Sequence, residues 1–153
     1  MQVSPSVSVN RKERKSLEVR LKVAFHDLDP LHFVWHGNYM KYFDIARFAL
    51  FKDSGIDLYE YYVKNQYIFP ITRTSTKHIV PLRYGDEFIC KATVIEAQIK
   101  IAIDFEIRLA DNGTVCAIGS SDQVAVKMPE MELMLEIPDD ISRALEFGRW
   151  TKT

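Results

Sequence analysis

Asn38-Tyr39-Met40-Lys41-Tyr42-Phe43-Asp44-Ile45-Ala46-Arg47-Phe48-Ala49-Leu50-Phe51-Lys52-Asp53-Ser54 is the stretch on which the fold turns. Its spacing predicts a helix over 38–54, with Lys41, Asp44, Arg47 and Lys52 as the one polar stripe and Gly55 as the stop. The other side chains, from Tyr39 and Met40 to Leu50 and Phe51, form an apolar arc wider than half the circumference. A helix of this kind must be embraced by other elements rather than laid on one of them.

The flanking sequence supplies the cover. Leu17, Val19, Leu21, Val23 and Phe25 alternate with Glu18, Arg20 and Lys22, which predicts a half-buried strand over 17–25. After the helix comes an aromatic-rich connector over 56–66, with room for a short second helix. Further strands are expected at 71–80, 88–95, 101–109 and 114–127. Asp111-Asn112-Gly113 marks a hairpin between the last two, and Pro138 opens a short helix carrying Ile141, Leu145 and Phe147. One strand, one long helix and a meander of strands imply an α+β fold, an antiparallel sheet curved around one central helix.

The chain has 153 residues, enough for one domain with a sizeable core, expected over 17–153 behind a polar tail of residues 1–16. A formal net charge of -1 gives no support to a nucleic-acid partner. No apolar run reaches the length of a membrane span, and the basic N-terminal stretch lacks the apolar segment of a secretory signal. Cys90 and Cys116 belong to no Cys-x-x-Cys pair and are expected as reduced, partly buried thiols, which suits a cytoplasmic protein.

Chemistry concentrates in His26-Asp27-Leu28-Asp29-Pro30-Leu31-His32-Phe33-Val34-Trp35-His36-Gly37-Asn38-Tyr39. Two carboxylates, three imidazoles and an amide meet the start of the predicted helix. A helix N-terminus offers unpaired N–H groups and a partial positive charge, which suits a developing oxyanion. A carboxylate beside it can attack a carbonyl or activate water. The plainer role for Asp27 or Asp29 is to organise a turn. Asn38 is placed to cap the helix through its side-chain oxygen, with substrate contact as a second role. Tyr39 and Tyr42 read as core packing, and His78 as a structural residue on its strand. The histidines and carboxylates lack metal-ligand spacing, so no metal is expected.

Asp-x-Asp-Pro-x-x-x-Val-Trp-His-x-Asn-Tyr over 27–39, followed by Tyr42-Phe43-x-x-x-Arg47, resembles the signature of the 4-hydroxybenzoyl-CoA thioesterase family. It is also similar to the Tol–Pal-associated acyl-CoA thioesterases of the same superfamily. The resemblance spans roughly residues 17–127, and Pro81-Leu82-Arg83-Tyr84-Gly85-Asp86 resembles a turn of the family. It implies a hot-dog fold, an acyl- or aroyl-CoA substrate, no cofactor, and a homodimer or homotetramer. It implies Asp29 as nucleophile or general base, with Asp27 organising the turn. His36 would supply a backbone N–H to the thioester oxygen, its imidazole being a further candidate, with Gly37 beside it. Lys100 and Lys127 fall near places where the family binds the phosphates of CoA. One departure stands out: His32 replaces a customary glycine, a position suited to positive φ or to room for the acyl group, and is read as a wall or rim residue. A dehydratase or hydratase acting on a hydroxyacyl thioester is the second reading, and a non-catalytic acyl-thioester binder the third.

Overall fold

The computed structural model describes residues 14–145. Strand β1 (Ser16–Lys22) is followed by helix α1 (Asn38–Asp53) and helix α2 (Leu58–Asn65). Then come β2 (Tyr67–Ile68), β3 (Ile71–His78), β4 (Glu87–Ala97), β5 (Ile101–Leu109) and β6 (Val115–Gln123). Short strands β7 (Val126–Lys127) and β8 (Glu132–Leu133) lead to α3 (Asp139–Ala144). Five strands form one antiparallel sheet in the order β1-β4-β5-β6-β3, and β2, β7 and β8 form a second, smaller one.

Helix α1 lies across one face of the large sheet and supplies the centre of the core. Ala46 and Leu50 are sealed from solvent, and Phe43 stacks on Phe105 of β5 at 4.6 Å between ring centres. Gly119 of β6 makes that approach possible: a Cβ there would stand 2.5 Å from the Phe43 ring. Truncating Phe43 to alanine would open a cavity costing roughly 3–5 kcal/mol. Helix α1 carries seven buried residues and α2 none.

The expected polar stripe of α1 needs correction. Arg47 is 2% exposed and points at the sheet, donating to Ser121 Oγ at 2.8 Å and pairing with Asp44. At about 100° per residue it falls on the side of Phe43, well away from Lys41. Lys41, Ile45, Phe48 and Lys52 form the exposed line instead, with Ile45 at 40% and Phe48 at 54% exposure. Within one chain, then, the sheet covers α1 on one side and leaves an apolar strip outside.

Strand boundaries shift for similar reasons. β1 ends at Lys22, and Phe25, expected on the inward face, sits in a single 3-10 turn with 75% exposure. The strand expected over 114–127 breaks after Gln123. Its buried amide donates to the Phe69 carbonyl at 2.9 Å, and the following residues join the small sheet that the sequence did not announce. The Asp111–Gly113 hairpin and the two buried, free cysteines are as expected, with burial pushing the Cys90 thiol up to about 12. Phe147 lies outside the described residues.

Candidate active site

Between β1 and α1 the chain makes a small hairpin. Leu28 bridges Val34, and Phe33 bridges Arg83. The Asp29 N–H donates to the Phe33 carbonyl at 2.8 Å, and the His32 N–H to the Asp29 carbonyl at 2.9 Å. Asp29 Oδ1 accepts the Leu31 N–H at 2.8 Å. This is an Asx turn, so the plain structural role is filled by one carboxylate oxygen. His32 takes φ 70°, the left-handed region that glycine enters freely and a side chain occupies at some cost. The position thus keeps a glycine-like backbone without a glycine, and its side chain is exposed.

Asp27 is bound far more tightly. It is 3% exposed, and its carboxylate accepts from Lys41 Nζ at 2.5 Å, Tyr42 Oη at 2.7 Å and the Ala24 N–H at 3.4 Å. Burial alone would raise its pKa; the hydrogen bonds from Lys41, Tyr42 and Ala24 outweigh it and hold the carboxyl below its ordinary value. Its carbonyl accepts the Trp35 N–H at 2.9 Å and Asn38 Nδ2 at 2.9 Å. Asn38 therefore ties the hairpin to α1 as a donor rather than capping the helix with its oxygen, and the cap residue is Gly37, with no side-chain cap bond. Trp35 folds back over Gly37, where a Cβ would lie 2.4 Å from the indole.

The start of α1 keeps free donors. The Asn38 and Tyr39 N–H groups bond back to Trp35 and His36 carbonyls, whereas those of His36 and Gly37 meet no acceptor among the described residues. An open cleft of about 240 Å³ reaches His36, lined by Asp29, Phe33, Val34, His36, Tyr39, His78, Ile79 and Pro81. A carboxylate, Asp29, and one residue with an unpaired N–H at the helix start, His36, therefore share one apolar-walled recess, with Gly37 next to it in the chain. Tyr39 joins it from the core side, its hydroxyl accepting the Leu82 N–H at 3.2 Å. Burial raises the Tyr39 pKa, which keeps the phenol neutral.

The cleft adds a residue for which the sequence pattern predicts only a structural role. His78, at the end of β3, stands in the lining. The signal was its position on the same strand face as Thr74 and Thr76, below α1, which becomes legible only once the register is known. His32, Gly37, Asn38, Lys100 and Lys127 are not among the lining residues. Lys100 is in the β4–β5 turn and pairs with Asp122 at 3.1 Å. Lys127 donates to the Asn65 carbonyl at 3.0 Å and covers the Tyr67 ring at 4.6 Å. No group of three or more His, Cys, Asp or Glu placed to hold a metal ion occurs among the described residues. Among the described residues no helix is long and apolar enough to cross a membrane.

The family model of the thioesterase-like superfamily matches residues 23–145. A Synechocystis protein described provisionally as an esterase is 23% identical over 133 residues, covering 86% of this chain and 79% of its own. A Bacillus subtilis protein described provisionally as an acyl-CoA thioesterase is 32% identical over 73 residues, about half of each chain (48% and 49%). Among solved structures, a 1,4-dihydroxy-2-naphthoyl-CoA thioesterase from Synechocystis superposes with a TM-score of 0.80 at 17% identity, covering 86% of this chain and 96% of that one. A variant of a 4-hydroxybenzoyl-CoA thioesterase, complexed with 4-hydroxybenzoyl-CoA, superposes with a TM-score of 0.77 at 17% identity, covering 86% and 99%. With a family model matched over most of its length and a helix laid on a five-stranded antiparallel sheet, the chain belongs to the thioesterase-like superfamily and has its hot-dog fold.

Proposed function

We propose that the protein hydrolyses an acyl- or aroyl-CoA thioester to the free acid and CoA. The observation that carries this reading is the meeting at one cleft of Asp29 with His36, whose N–H is unpaired, the unpaired Gly37 N–H being next in the chain. The thioester carbonyl oxygen takes the two N–H donors. Asp29, through the oxygen not engaged by Leu31, then removes a proton from the water that attacks the carbonyl carbon. The oxyanion collapses, the C–S bond breaks, and the thiolate leaves and takes up the proton. Direct attack by the same oxygen, followed by hydrolysis of the mixed anhydride, yields the same products. No step calls for a metal or cofactor. Gly37 and Asn38 hold the helix start in place, His32 shapes the rim, and Lys100 and Lys127 hold the CoA phosphates.

Dehydration of a hydroxyacyl thioester calls for an imidazole paired with an acid. Among the described residues neither the His36 nor the His78 ring hydrogen-bonds a carboxylate, which favours hydrolysis. A homodimer is part of the proposal. β3 is an edge strand with seven of its eight residues exposed, a ready template for a second copy, and its end borders the cleft. A tetramer would pair two such dimers. The buried free thiols support a cytoplasmic setting.

The test is a screen of acyl-CoAs of different shapes with wild type and Asp29→Asn, alongside light scattering for the oligomer. Turnover that Asp29→Asn leaves within about threefold of wild type sinks the assignment of Asp29. Binding without turnover points to the acyl-thioester binder instead.

A further inference from the structure

The proposed hydrolysis gives no task to the side chain of His78, which lines the cleft. His78 shares its strand face with Thr74 and Thr76, under α1. Tyr39 meets its ring edge-on, with 4.7 Å between centres and planes at 88°. That contact holds the imidazole in the wall of the cleft to which Asp29 and His36 also belong. Among the described residues no hydrogen bond or ion pair reaches the ring. The side chains of Phe33, Val34, Ile79 and Pro81 offer only carbon, and the Tyr39 hydroxyl already accepts from Leu82.

We propose that His78 is a specificity-determining residue that hydrogen-bonds an oxygen substituent, a hydroxyl or keto group, carried on the acyl part of the substrate. The inference rests on the thioesterase reading. A neutral imidazole carries one N–H donor and one acceptor nitrogen. A hydrocarbon acyl group that fills the cleft strips water from both and returns nothing; an oxygenated one restores a partner. Sites built to hydrogen-bond a substrate group therefore discriminate more sharply than sites that sense size alone. The contact lies away from the reacting carbonyl, so it holds ground and transition states alike and registers in KM more than in kcat.

The experiment measures kcat and KM of wild type and His78→Phe on matched pairs: butyryl-CoA with 3-hydroxybutyryl-CoA, and benzoyl-CoA with its three monohydroxy derivatives. Phenylalanine keeps the edge contact with Tyr39 and removes both hydrogen-bonding atoms. Wild type is expected to favour at least one oxygenated ester by about tenfold or more in kcat/KM. His78→Phe is expected to reduce that preference to under about twofold, through KM, while kcat/KM on the plain ester stays within about threefold. Should that variant not fold by circular dichroism, His78→Leu decides by the same ratio. A wild type without preference in any pair, or a variant that loses plain and oxygenated esters alike, overturns the role of His78 and leaves the thioesterase reading standing. A wild type that hydrolyses no acyl-CoA brings down both.

Discussion

Asp27 and Asp29 are two residues apart in one loop and have opposite fates. Asp27 is closed: every side of its carboxylate is met by Lys41, Tyr42 or the Ala24 N–H, and its carbonyl is taken by Trp35 and Asn38. Asp29 is open: one oxygen holds the Leu31 N–H and the residue faces a cleft. The closed carboxylate serves stability, because a buried charge persists only when its hydrogen bonds are complete. The open one retains bonding capacity, which is what chemistry on a substrate requires. Side-chain type is identical, so what separates them is how far the fold satisfies each.

The sharpest way to break this contrast is Asp29→Asn. Asparagine still accepts the Leu31 N–H, so the turn should persist and Tm should stay within about 2 °C of wild type. Hydrolysis should fall by about a thousandfold, as expected when a nucleophile or base is removed. A large fall in Tm would show that Asp29, too, is a structural carboxylate.

Asp27→Asn should do the reverse. Loss of the charge-assisted bonds from Lys41 and Tyr42 costs about 2–3 kcal/mol, or roughly 5–10 °C in Tm for a domain of this size. The pH dependence follows from the lowered pKa. The Asp27 contribution to stability is fully present above its unfolded value of about 4 and is lost as pH falls through the lower folded value. Thermal melts from pH 7 to pH 2 should therefore lose stability at the acid end in wild type, and less steeply in Asp27→Asn. Parallel acid limbs would remove Asp27 from the account.

His36→Ala asks whether the open side works through backbone or imidazole. Alanine keeps the N–H, so the expected loss in kcat is less than about thirtyfold; a thiolate, with a thiol pKa near ~8.5, leaves without much help from an acid. A loss equal to that of Asp29→Asn, in a folded protein, would make the imidazole a catalytic group. The smallest effect is expected from charge reversal at Lys100 or Lys127. Both lysines are half-buried and still reach solvent, so each charge contributes little, and KM should rise about two- to fivefold with kcat nearly constant. Unchanged kinetics would leave Lys100 to its pair with Asp122 and Lys127 to its contacts with Asn65 and Tyr67.

Local pattern was enough to place α1, β5 and the Asp111–Gly113 hairpin, because helix and hairpin signals lie within a few neighbouring residues. It also offered 26–39 as the candidate chemical segment, with Asp29 proposed as its leading carboxylate through resemblance. Three things were decided only in three dimensions. Arg47 turned inward because Ser121 and Phe105, more than fifty positions away in sequence, stand beneath it. Gln123 ended β6 because the Phe69 carbonyl waited across the sheet. His78 joined Asp29 because strand register, set by the pairing of β3 with β6, brought the end of an edge strand to the first turn of α1. Periodicity reports which face of an element is apolar. Which residues of distant elements meet is settled by packing and register, which a local pattern does not contain.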